Sequence, residues 1–387
     1  MIMAIDNKDK VLNVPNLRFP EFTEEWKETK IGDITSKVGS GVTPKGGSAV
    51  YKTSGHLFIR SQNVGNGCFL LDDVAYIDEA THKKQINTEL KDGDVLLNIT
   101  GASIGRTTVV NKNVEGGNVN QHVCIIRLLE DYSPNYICNY LLSYGGQKQI
   151  DSFQAGGNRE GLNFEQIRSI KFFIPSFREQ SKIASLLSLL EERIATQNKI
   201  IEQLQSLIKG IRVRLFSFDN YDIKYLGDLC SITTGKLDAN AMVENGKYPF
   251  FTCAEDTFRI DEYAFDTEAL LISGNGANLG YIHYYNGKFN AYQRTYVLDK
   301  FSVEVMYLKY YLETFLNQRI NQEVNVGNTP YIVLSTLTKM KIKIPDISQQ
   351  RNIINVLSNL NLKLNQEKDI LSAYQTQKAY LLRNLFI

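Results

Sequence analysis

The sequence repeats itself, and the best-matched part of the repeat is helical. Residues 172–183 (FFIPSFREQSKI) match residues 342–353 (IKIPDISQQRNI) at an offset of 170. After each Ile-Pro pair, apolar residues recur at alternating spacings of four and three, which is the pattern of a coiled-coil seam. An internal repeat of this kind predicts two copies of one structural unit, each ending in a long helix.

Weaker sequence matches between the two copies lie ahead of each predicted helix. Residues 101–105 (GASIG) answer residues 276–280 (GANLG) at an offset of 175, and Gln121 answers Gln293 at 172. The order is kept while the offset shrinks, as expected if the second copy has shorter loops. Short apolar runs at 95–97 and 270–272 indicate strands between Gly- and Asn-containing turns, whereas residues 135–142 and 306–316 look helical.

These patterns predict an α+β fold with two duplicated α/β domains separated by two long helices, which form an antiparallel coiled coil with pseudo-twofold symmetry. The predicted boundaries are 1–175 for an N-terminal arm and first domain, 176–217 for the first helix, 218–345 for the second domain and 346–387 for the second helix. The alternative is that each helix is an ordinary amphipathic surface helix lying on its own domain.

One antiparallel register satisfies nearly all seam positions, for example by placing Ile183 opposite Leu385. The same register puts two polar residues, Gln197 and Glu367, in adjacent central layers. A buried polar residue in such a seam fixes the register at a cost in stability, because any slip places it against hydrocarbon. We predict that Gln197 and Glu367 set the register of the pair.

Charge and cysteine content narrow the class of protein only weakly. Lys and Arg number 43 against 42 for Asp and Glu, a net charge of +1, so the balance alone does not indicate a nucleic-acid partner. The five cysteines are odd in number and widely spaced, which argues against a disulfide framework or a zinc site. The chain lacks a signal-peptide pattern and a membrane-length apolar run, so we expect a cytoplasmic protein.

Motifs of catalysis are missing. The chain has no Pro-Pro dipeptide for a base-flipping methyltransferase, the glycines at 274, 276 and 280 have the wrong spacing for a dinucleotide fingerprint, and Gly105 is followed by Arg106 where a P-loop needs Lys. A metal-dependent nuclease could use Glu89 with Asp73 or Asp78, but exposed charge near a turn explains these residues better. The four histidines form no short-range ligand pair. We expect no catalytic residue and no metal site.

The sequence resembles the specificity subunits of type I restriction–modification systems. The resemblance is carried by residues 14–22 (VPNLRFPEF), Ile31-Gly32-Asp33, residues 98–106 (NITGASIGR), 120–123 (NQHV) and both helices that start at Ile-Pro and end in Leu-Phe. It covers the whole chain, although the second copy has Tyr292-Gln293-Arg294 in place of Asn-Gln-His.

The resemblance implies a non-catalytic subunit that directs DNA methylation and cleavage by reading a split target in double-stranded DNA. The implied partners are two methyltransferase subunits and two motor-nuclease subunits. S-adenosylmethionine, ATP and magnesium would bind to those partners, with no cofactor in this chain. The main alternative is a coiled-coil adaptor or scaffold whose duplicated domains bind protein or glycan.

Base-reading residues are expected among polar side chains on Gly-rich loops, because guanine accepts a bidentate Arg and adenine a bidentate Asn or Gln in the major groove. The alternative for each is a capping or turn residue. The candidates in the first domain are Thr43, Lys45, Arg60, Asn63, Ser103, Arg106, Gln121 and Arg159. Those in the second domain are Lys236, Asn275, Asn278, Gln293, Arg294, Asn328 and Tyr331.

Overall fold

The computed structural model describes residues 3–4, 13–154, 161–323 and 331–387. The chain divides into two compact units, Met1–Asn198 with Asp369–Ile387 and Lys199–Lys368. Each unit therefore holds a sheet domain and a part of both long helices. The four-segment boundaries drawn from the sequence stay a prediction.

The first unit is built on a four-stranded and a three-stranded sheet. Its strands are β1 (Met3–Ala4), β2 (Leu17–Arg18), β3 (Lys27–Lys30), β4 (Thr35–Ser40), β5 (His56–Ile59), β6 (Ala75–Ile77), β7 (Val95–Asn98), β8 (Thr107–Val109), β9 (Asn118–Val119), β10 (Val123–Leu128) and β11 (Lys171–Ile174). Its helices are α1 (Glu79–Lys84), α2 (Pro134–Leu142), α3 (Tyr144–Gln154), α4 (Phe164–Ser169) and the first part of α5 (Phe177–Leu215). The strand orders are β4-β10-β7-β8 and β6-β5-β9, with separate pairs β1-β2 and β11-β3.

The second unit is built on one six-stranded sheet. Its strands are β12 (Asp222–Tyr225), β13 (Ser231–Thr234), β14 (Tyr248–Phe251), β15 (Phe258–Ile260), β16 (Phe265–Ser273), β17 (Ile282–Ala291), β18 (Thr295–Asp299) and β19 (Lys341–Ile344). Its helices are α6 (Leu226–Leu229), α7 (Val305–Glu323), α8 (Leu334–Thr338) and the first part of α9 (Ile347–Asn384). The sheet order is β13-β18-β16-β17-β14-β15, and β12 pairs with β19.

The apolar runs predicted to be strands are strands with both faces buried. In β7, Val95 and Leu97 face one core, whereas Leu96 faces another. In β16, Leu271 likewise faces a different core from its neighbours. Successive strand residues point to opposite sides, so a strand covered on both faces requires an uninterrupted apolar run.

The repeated Ile-Pro segments make the same turn in both units. Gln180 Nε2 donates to the carbonyl oxygen of Pro175 at 3.0 Å, and Gln350 Nε2 donates to that of Pro345 at 2.9 Å. Both glutamines are buried, and buried polar groups are stable only when hydrogen-bonded. The shared bond fixes the turn from strand to long helix, which explains why this part of the repeat is best matched.

In the first unit the two long helices run antiparallel. Ile183, near the start of α5, shares a core with Leu385, just beyond the end of α9. Further along α5, Glu191 Oε1 lies 2.9 Å from Lys378 Nζ on α9. The predicted register, in which Ile183 lies opposite Leu385, also places Leu190 opposite Lys378. The observed ion-pair partner of Lys378 is the next residue, Glu191.

The second unit has the same pairing with the opposite helix ends. Leu215, at the end of α5, packs against the core that contains Ile353, near the start of α9. The antiparallel coiled coil predicted from the heptads is confirmed, while its individual layers, including those of Gln197 and Glu367, stay a prediction. Among the helices in the described ranges, none is both long and apolar enough to cross a membrane.

Candidate nucleic-acid interface

Most candidate residues of the first unit belong to one group of loops at the ends of neighbouring strands. We call residues 41–45, 99–106, 120–122 and 161–162 the first loop cluster. The Ile99 amide donates to the His122 carbonyl oxygen at 3.0 Å, and the Leu162 amide donates to the Ile99 carbonyl oxygen at 2.9 Å. The Thr43 amide donates to Gln121 Oε1 at 3.0 Å. These bonds bring loops from distant parts of the sequence together.

The second unit has a matching group of loops. We call residues 235–237, 274–281, 292–294 and 331–332 the second loop cluster. The Gly274 amide donates to the Arg294 carbonyl oxygen at 2.9 Å, and the Ile332 amide donates to the Gly274 carbonyl oxygen at 2.9 Å. The Gln293 amide donates to the Leu237 carbonyl oxygen at 2.8 Å. The first two of these hydrogen bonds have direct counterparts in the first loop cluster, namely the Ile99–His122 and Leu162–Ile99 bonds.

This correspondence aligns the two clusters residue by residue. Ile99 corresponds to Gly274, and His122 corresponds to Arg294, because each pair makes the same main-chain bond. Gln121 and Gln293, which the sequence repeat already matched, precede the second pair. The two units thus hold different side chains on equivalent loop backbones.

Close backbone contacts hold the loops in place. A Cβ atom on Gly41 would lie 1.7 Å from the Val119 carbonyl oxygen, and one on Gly235 would lie 1.9 Å from that of Ala291. No side chain fits at such distances, so glycine is required at the start of this loop in both units.

Hydrogen bonds hold the polar side chains of the first loop cluster. The Thr43 hydroxyl donates to Gln121 Oε1, and Gln121 Nε2 lies 3.0 Å from His122 Nε2. His122 Nδ1 lies 2.6 Å from Thr100 Oγ1. The amide of Gln121 is therefore oriented before any ligand binds. Nothing in the sequence singled out His122 for this role, but its position after Gln121 is the signal that would have found it.

Two predicted base readers of the first unit have structural partners instead. Asn63 is buried, and its Nδ2 donates to the carbonyl oxygens of Leu70 at 2.9 Å and Asp73 at 2.8 Å. Its Oδ1 accepts from the Arg60 amide at 3.1 Å. Arg60 Nη2 donates to the Asp73 carbonyl oxygen at 2.8 Å. These bonds hold the turn that contains Arg60 and Asn63.

The remaining candidates of the first unit differ in whether their side chains have hydrogen-bond partners. Ser103 Oγ accepts from Asn98 Nδ2 at 3.1 Å, which ties it to the end of β7. Lys45 and Arg106 are exposed, and their side chains have no partner within the described part of the chain. Both cations stay candidates for DNA contact, while Arg159 lies outside the described residues.

The second loop cluster presents more unpaired groups. Asn278 Nδ2 donates to the Cys253 carbonyl oxygen at 3.3 Å, and Asn275 is bridged through its backbone to the segment at 331. The exposed candidates whose side chains have no partner among the residues described are Lys236, Gln293, Arg294 and Tyr331. Asn328 lies outside the described residues.

The acidic residues considered for a nuclease are used in local structure. Asp78 caps α1 by accepting from the Thr81 amide at 2.8 Å, and hydrogen bonds from the side chain and then the backbone of Thr81 lower the pKa of Asp78. Asp73 Oδ1 lies 3.2 Å from Arg60 Nη2. Glu89 Oε1 lies 3.5 Å from His82 Nε2. In the described ranges, no group of three or more His, Cys, Asp or Glu side chains is arranged to hold a metal ion.

Two of the histidines, which form no short-range pair in the sequence, are neighbours in the structure. The rings of His56 and His82 stack with centroids 3.7 Å apart, and each ring has a carboxylate neighbour. Nδ1 of His82 is also 2.7 Å from Asn118 Oδ1, at strand β9. The pair joins α1 to the three-stranded sheet, a contact that no short-range sequence pattern reveals.

Comparison with known proteins identifies the repeated unit. The family model described as "Type I restriction modification DNA specificity domain" matches residues 23–206 and again residues 219–372. The two matches cover most of the chain and correspond to the two copies of the sequence repeat.

Individual relatives carry related names. The Escherichia coli type I restriction enzyme EcoDI specificity subunit is 40% identical over 143 residues, 37% of this chain and 32% of the relative, so the chain matches about a third of that relative's length. A putative type I specificity subunit of Mycoplasma genitalium is 23% identical over 307 residues, 74% of this chain and 79% of the relative.

Solved structures share the fold. A type I restriction-modification S subunit from M. genitalium superposes with a TM-score of 0.63 at 17% identity, covering 97% of this chain and 99% of that one. A chain from work on complex assembly and conformational transition of the type I R-M system gives 0.59 at 16% identity, covering 92% and 96%. The chain belongs to the type I restriction modification DNA specificity domain family and contains two copies of that domain.

Proposed function

We propose that this chain is the specificity subunit of a type I restriction–modification system and reads a two-part target in double-stranded DNA. The observation that carries the proposal is the pair of equivalent loop clusters. Each holds its backbone in the same hydrogen-bonded frame and presents different side chains from it, His122 in one and Arg294 in the other. Base edges are read by such side chains, so two equivalent frames that carry different side chains suit two different half-sites.

The proposed contacts are the accessible polar residues of the two clusters. In the first unit they are Thr43, Lys45, Ser103, Arg106 and Gln121, with Arg159 outside the described residues. In the second unit they are Lys236, Asn275, Asn278, Gln293, Arg294 and Tyr331, with Asn328 outside the described residues. We leave Arg60 and Asn63 out because their side chains hold the turn that contains them.

The near-neutral charge supports a division of labour with partner subunits. Affinity for DNA comes mainly from cations at the phosphates, whereas specificity comes from base contacts. A net charge of +1 suits a chain that supplies base contacts within a larger complex. We propose two methyltransferase and two motor-nuclease subunits as partners in the cytoplasm, with S-adenosylmethionine, ATP and magnesium bound by those partners and no catalysis by this chain.

Co-expression with a type I methyltransferase subunit tests the proposal. The full chain, affinity-tagged, should co-purify with the methyltransferase, and the genome of the expressing cells should acquire methylation at one two-part sequence. Cells with the methyltransferase alone are the control. Failure to co-purify together with an unchanged methylome would contradict the proposal and would favour the adaptor alternative.

A further inference from the structure

The two loop clusters carry different side chains at the equivalent positions of His122 and Arg294, and we propose that Arg294 selects a guanine in the half-site read by the second unit. The inference rests on the proposed function and names the base class that the second unit takes. It concerns His122 and Arg294, which lie at matching places in the two hydrogen-bonded frames.

The equivalence is established by main-chain bonds on both sides of the position. The carbonyl oxygen of His122 accepts from Ile99, as that of Arg294 accepts from Gly274. Two residues earlier, the Asn120 amide donates to the Ile59 carbonyl oxygen at 3.1 Å. In the second unit, the Tyr292 amide donates to the Phe251 carbonyl oxygen at 2.9 Å. The two segments therefore follow the same path, and their side chains leave the backbone at matched points.

The backbone of Arg294 is fixed while its side chain is free. Its carbonyl oxygen accepts from the Gly274 amide at 2.9 Å and from Cys253 Sγ at 3.5 Å. A Cβ atom on Gly274 would lie 2.4 Å from the same oxygen, so glycine permits this close approach. The Arg294 side chain is exposed and has no partner among the described residues.

A guanidinium group without a partner among the described residues, carried on a fixed backbone, is well suited to bind guanine. Guanine presents two acceptors, O6 and N7, on its major-groove edge, and the planar fork of arginine matches both at once. A fixed backbone limits the positions that the Arg294 guanidinium group can reach. Arg294 can therefore discriminate between bases better than it could from a flexible loop.

The first unit offers no such fork at this position. The His122 ring is held by Thr100 Oγ1 at Nδ1 and by Gln121 Nε2 at Nε2. This arrangement fits the tautomer with its hydrogen on Nδ1, so both ring nitrogens already have partners. The first half-site is therefore read without an arginine fork at this position.

Selection from random DNA tests the inference. The full chain in complex with its methyltransferase subunits is used to enrich random DNA, as wild type and as the variants Arg294→Gln, His122→Arg and Lys236→Gln. Wild type should enrich a guanine in the half-site read by the second unit. Arg294→Gln should lower the preference for that one guanine by about tenfold or more and leave the first half-site unchanged.

The other two variants supply a gain and a matched control. His122→Arg should introduce a guanine preference at the equivalent base of the first half-site. Lys236→Gln removes a neighbouring exposed cation, and it should leave the preference for the guanine assigned to Arg294 unchanged. Because the Arg294 side chain is exposed and has no hydrogen-bond or ion-pair partner among the described residues, Arg294→Gln should melt at the wild-type temperature. If Arg294→Gln melts at a lower temperature than wild type, the guanine preferences of Arg294→Ala and His122→Arg test the inference in its place.

Each outcome bears on one of the two claims. If wild type enriches no two-part sequence, the proposed function fails and the inference fails with it. If wild type enriches a two-part sequence but Arg294→Gln binds all sequences equally less well, Arg294 contacts phosphate. An unchanged sequence preference in Arg294→Gln would likewise overturn the inference while leaving the proposed function intact.

Discussion

Arg18 and Glu179 form a buried ion pair in the first unit. Arg18 Nε lies 2.7 Å from Glu179 Oε1 and Nη2 lies 2.8 Å from Oε2, while Nη2 also donates to the Glu24 carbonyl oxygen at 2.6 Å. Both residues are about 95% or more buried. The pair attaches the N-terminal segment to the start of α5, which makes it a structural rather than a DNA-binding contact.

Removal of one partner should strongly destabilise the first unit. Glu179→Ala leaves the Arg18 charge buried without a carboxylate, and we expect a loss of about 3–5 kcal/mol in the free energy of unfolding. The exposed pair Glu165–Arg168 provides the control, because Glu165→Ala should cost about 1 kcal/mol or less. Urea unfolding followed by Trp26 fluorescence measures both, since Trp26 is the single tryptophan and is buried in the first unit. Equal losses in the two variants would refute this account.

His283 makes the second unit sensitive to acid. Burial lowers the pKa of His283, and Lys309 adds to this, while the hydrogen bond to the Ala254 carbonyl oxygen and nearby Glu255 oppose it. The folded unit therefore favours the neutral ring. An unfolded histidine protonates near pH 6.5, so this contribution to stability is present above that pH and is lost as the pH falls through the lower folded pKa.

The matched variant is His283→Gln, whose amide can still donate to Ala254 but cannot titrate. Between about pH 7.5 and pH 5.5, wild type should lose more protection from hydrogen exchange in β16 and β17 than His283→Gln does. Parallel losses in the two proteins would assign the acid sensitivity to other groups.

At the scale of elements, each unit is completed by the end of a long helix. Phe386 packs on Tyr136, with ring centroids 5.2 Å apart, in the core of the first unit. Phe216 packs on Tyr307, at 5.8 Å, in the core of the second unit. The Leu-Phe pairs that end both repeats are therefore core residues, and the first unit takes its pair from the C-terminal end of the chain.

This arrangement predicts that a substitution at the end of α9 destabilises the first unit, although most of that unit is formed by residues 1–198. Phe386→Ala should destabilise the first unit by about 3–5 kcal/mol, because a buried aromatic ring is lost and a cavity remains. The equivalent change, Phe216→Ala, should leave the unfolding transition reported by Trp26 nearly unchanged. Urea unfolding followed by Trp26 fluorescence compares them directly. A shift of the Trp26 transition in Phe216→Ala as large as that in Phe386→Ala would contradict the assignment of each ring to its unit.

The elements were largely predictable from the sequence, and the details of the site were not. Heptad spacing is a local property, so both long helices and their antiparallel pairing followed from it. The runs in β7 and β16 were recognisable because a strand buried on both faces must be continuously apolar. By contrast, the partners of Asn63 and His122 depend on loops that meet only after folding, so their roles could not be read from spacing.

At the scale of the whole molecule, the sequence repeat holds in the structure without being uniform. The loop clusters keep their backbone bonds, whereas the side chains diverge, as at His122 and Arg294. The sheets also diverge, since the first unit divides its main strands between two sheets and the second joins them in one. The repeat predicted that two similar domains exist, but the length and pairing of their strands depend on loops that the two copies do not share.

The last prediction concerns the polar residues of the helix seam. Gln197 and Glu367 are both buried, at 6% and 7% exposure, and Glu367 Oε1 lies 2.5 Å from Lys363 Nζ. Burying these groups costs desolvation that packed leucines would not incur. We therefore expect Gln197→Leu combined with Glu367→Leu to raise the free energy of unfolding by about 1 kcal/mol or more, measured by urea unfolding.

The same variant tests whether these residues set the register. Without polar groups to penalise a slip, alternative pairings of the heptads become closer in energy. In the methylome of cells that express the variant with its methyltransferase, the spacing between the half-sites should become less strict, while the half-sites themselves stay the same. The conservative change Gln197→Asn with Glu367→Gln retains polar groups and should keep the wild-type spacing. A stabilised leucine variant with unchanged spacing would separate stability from register, because the apolar seam alone would then be sufficient to align the helices.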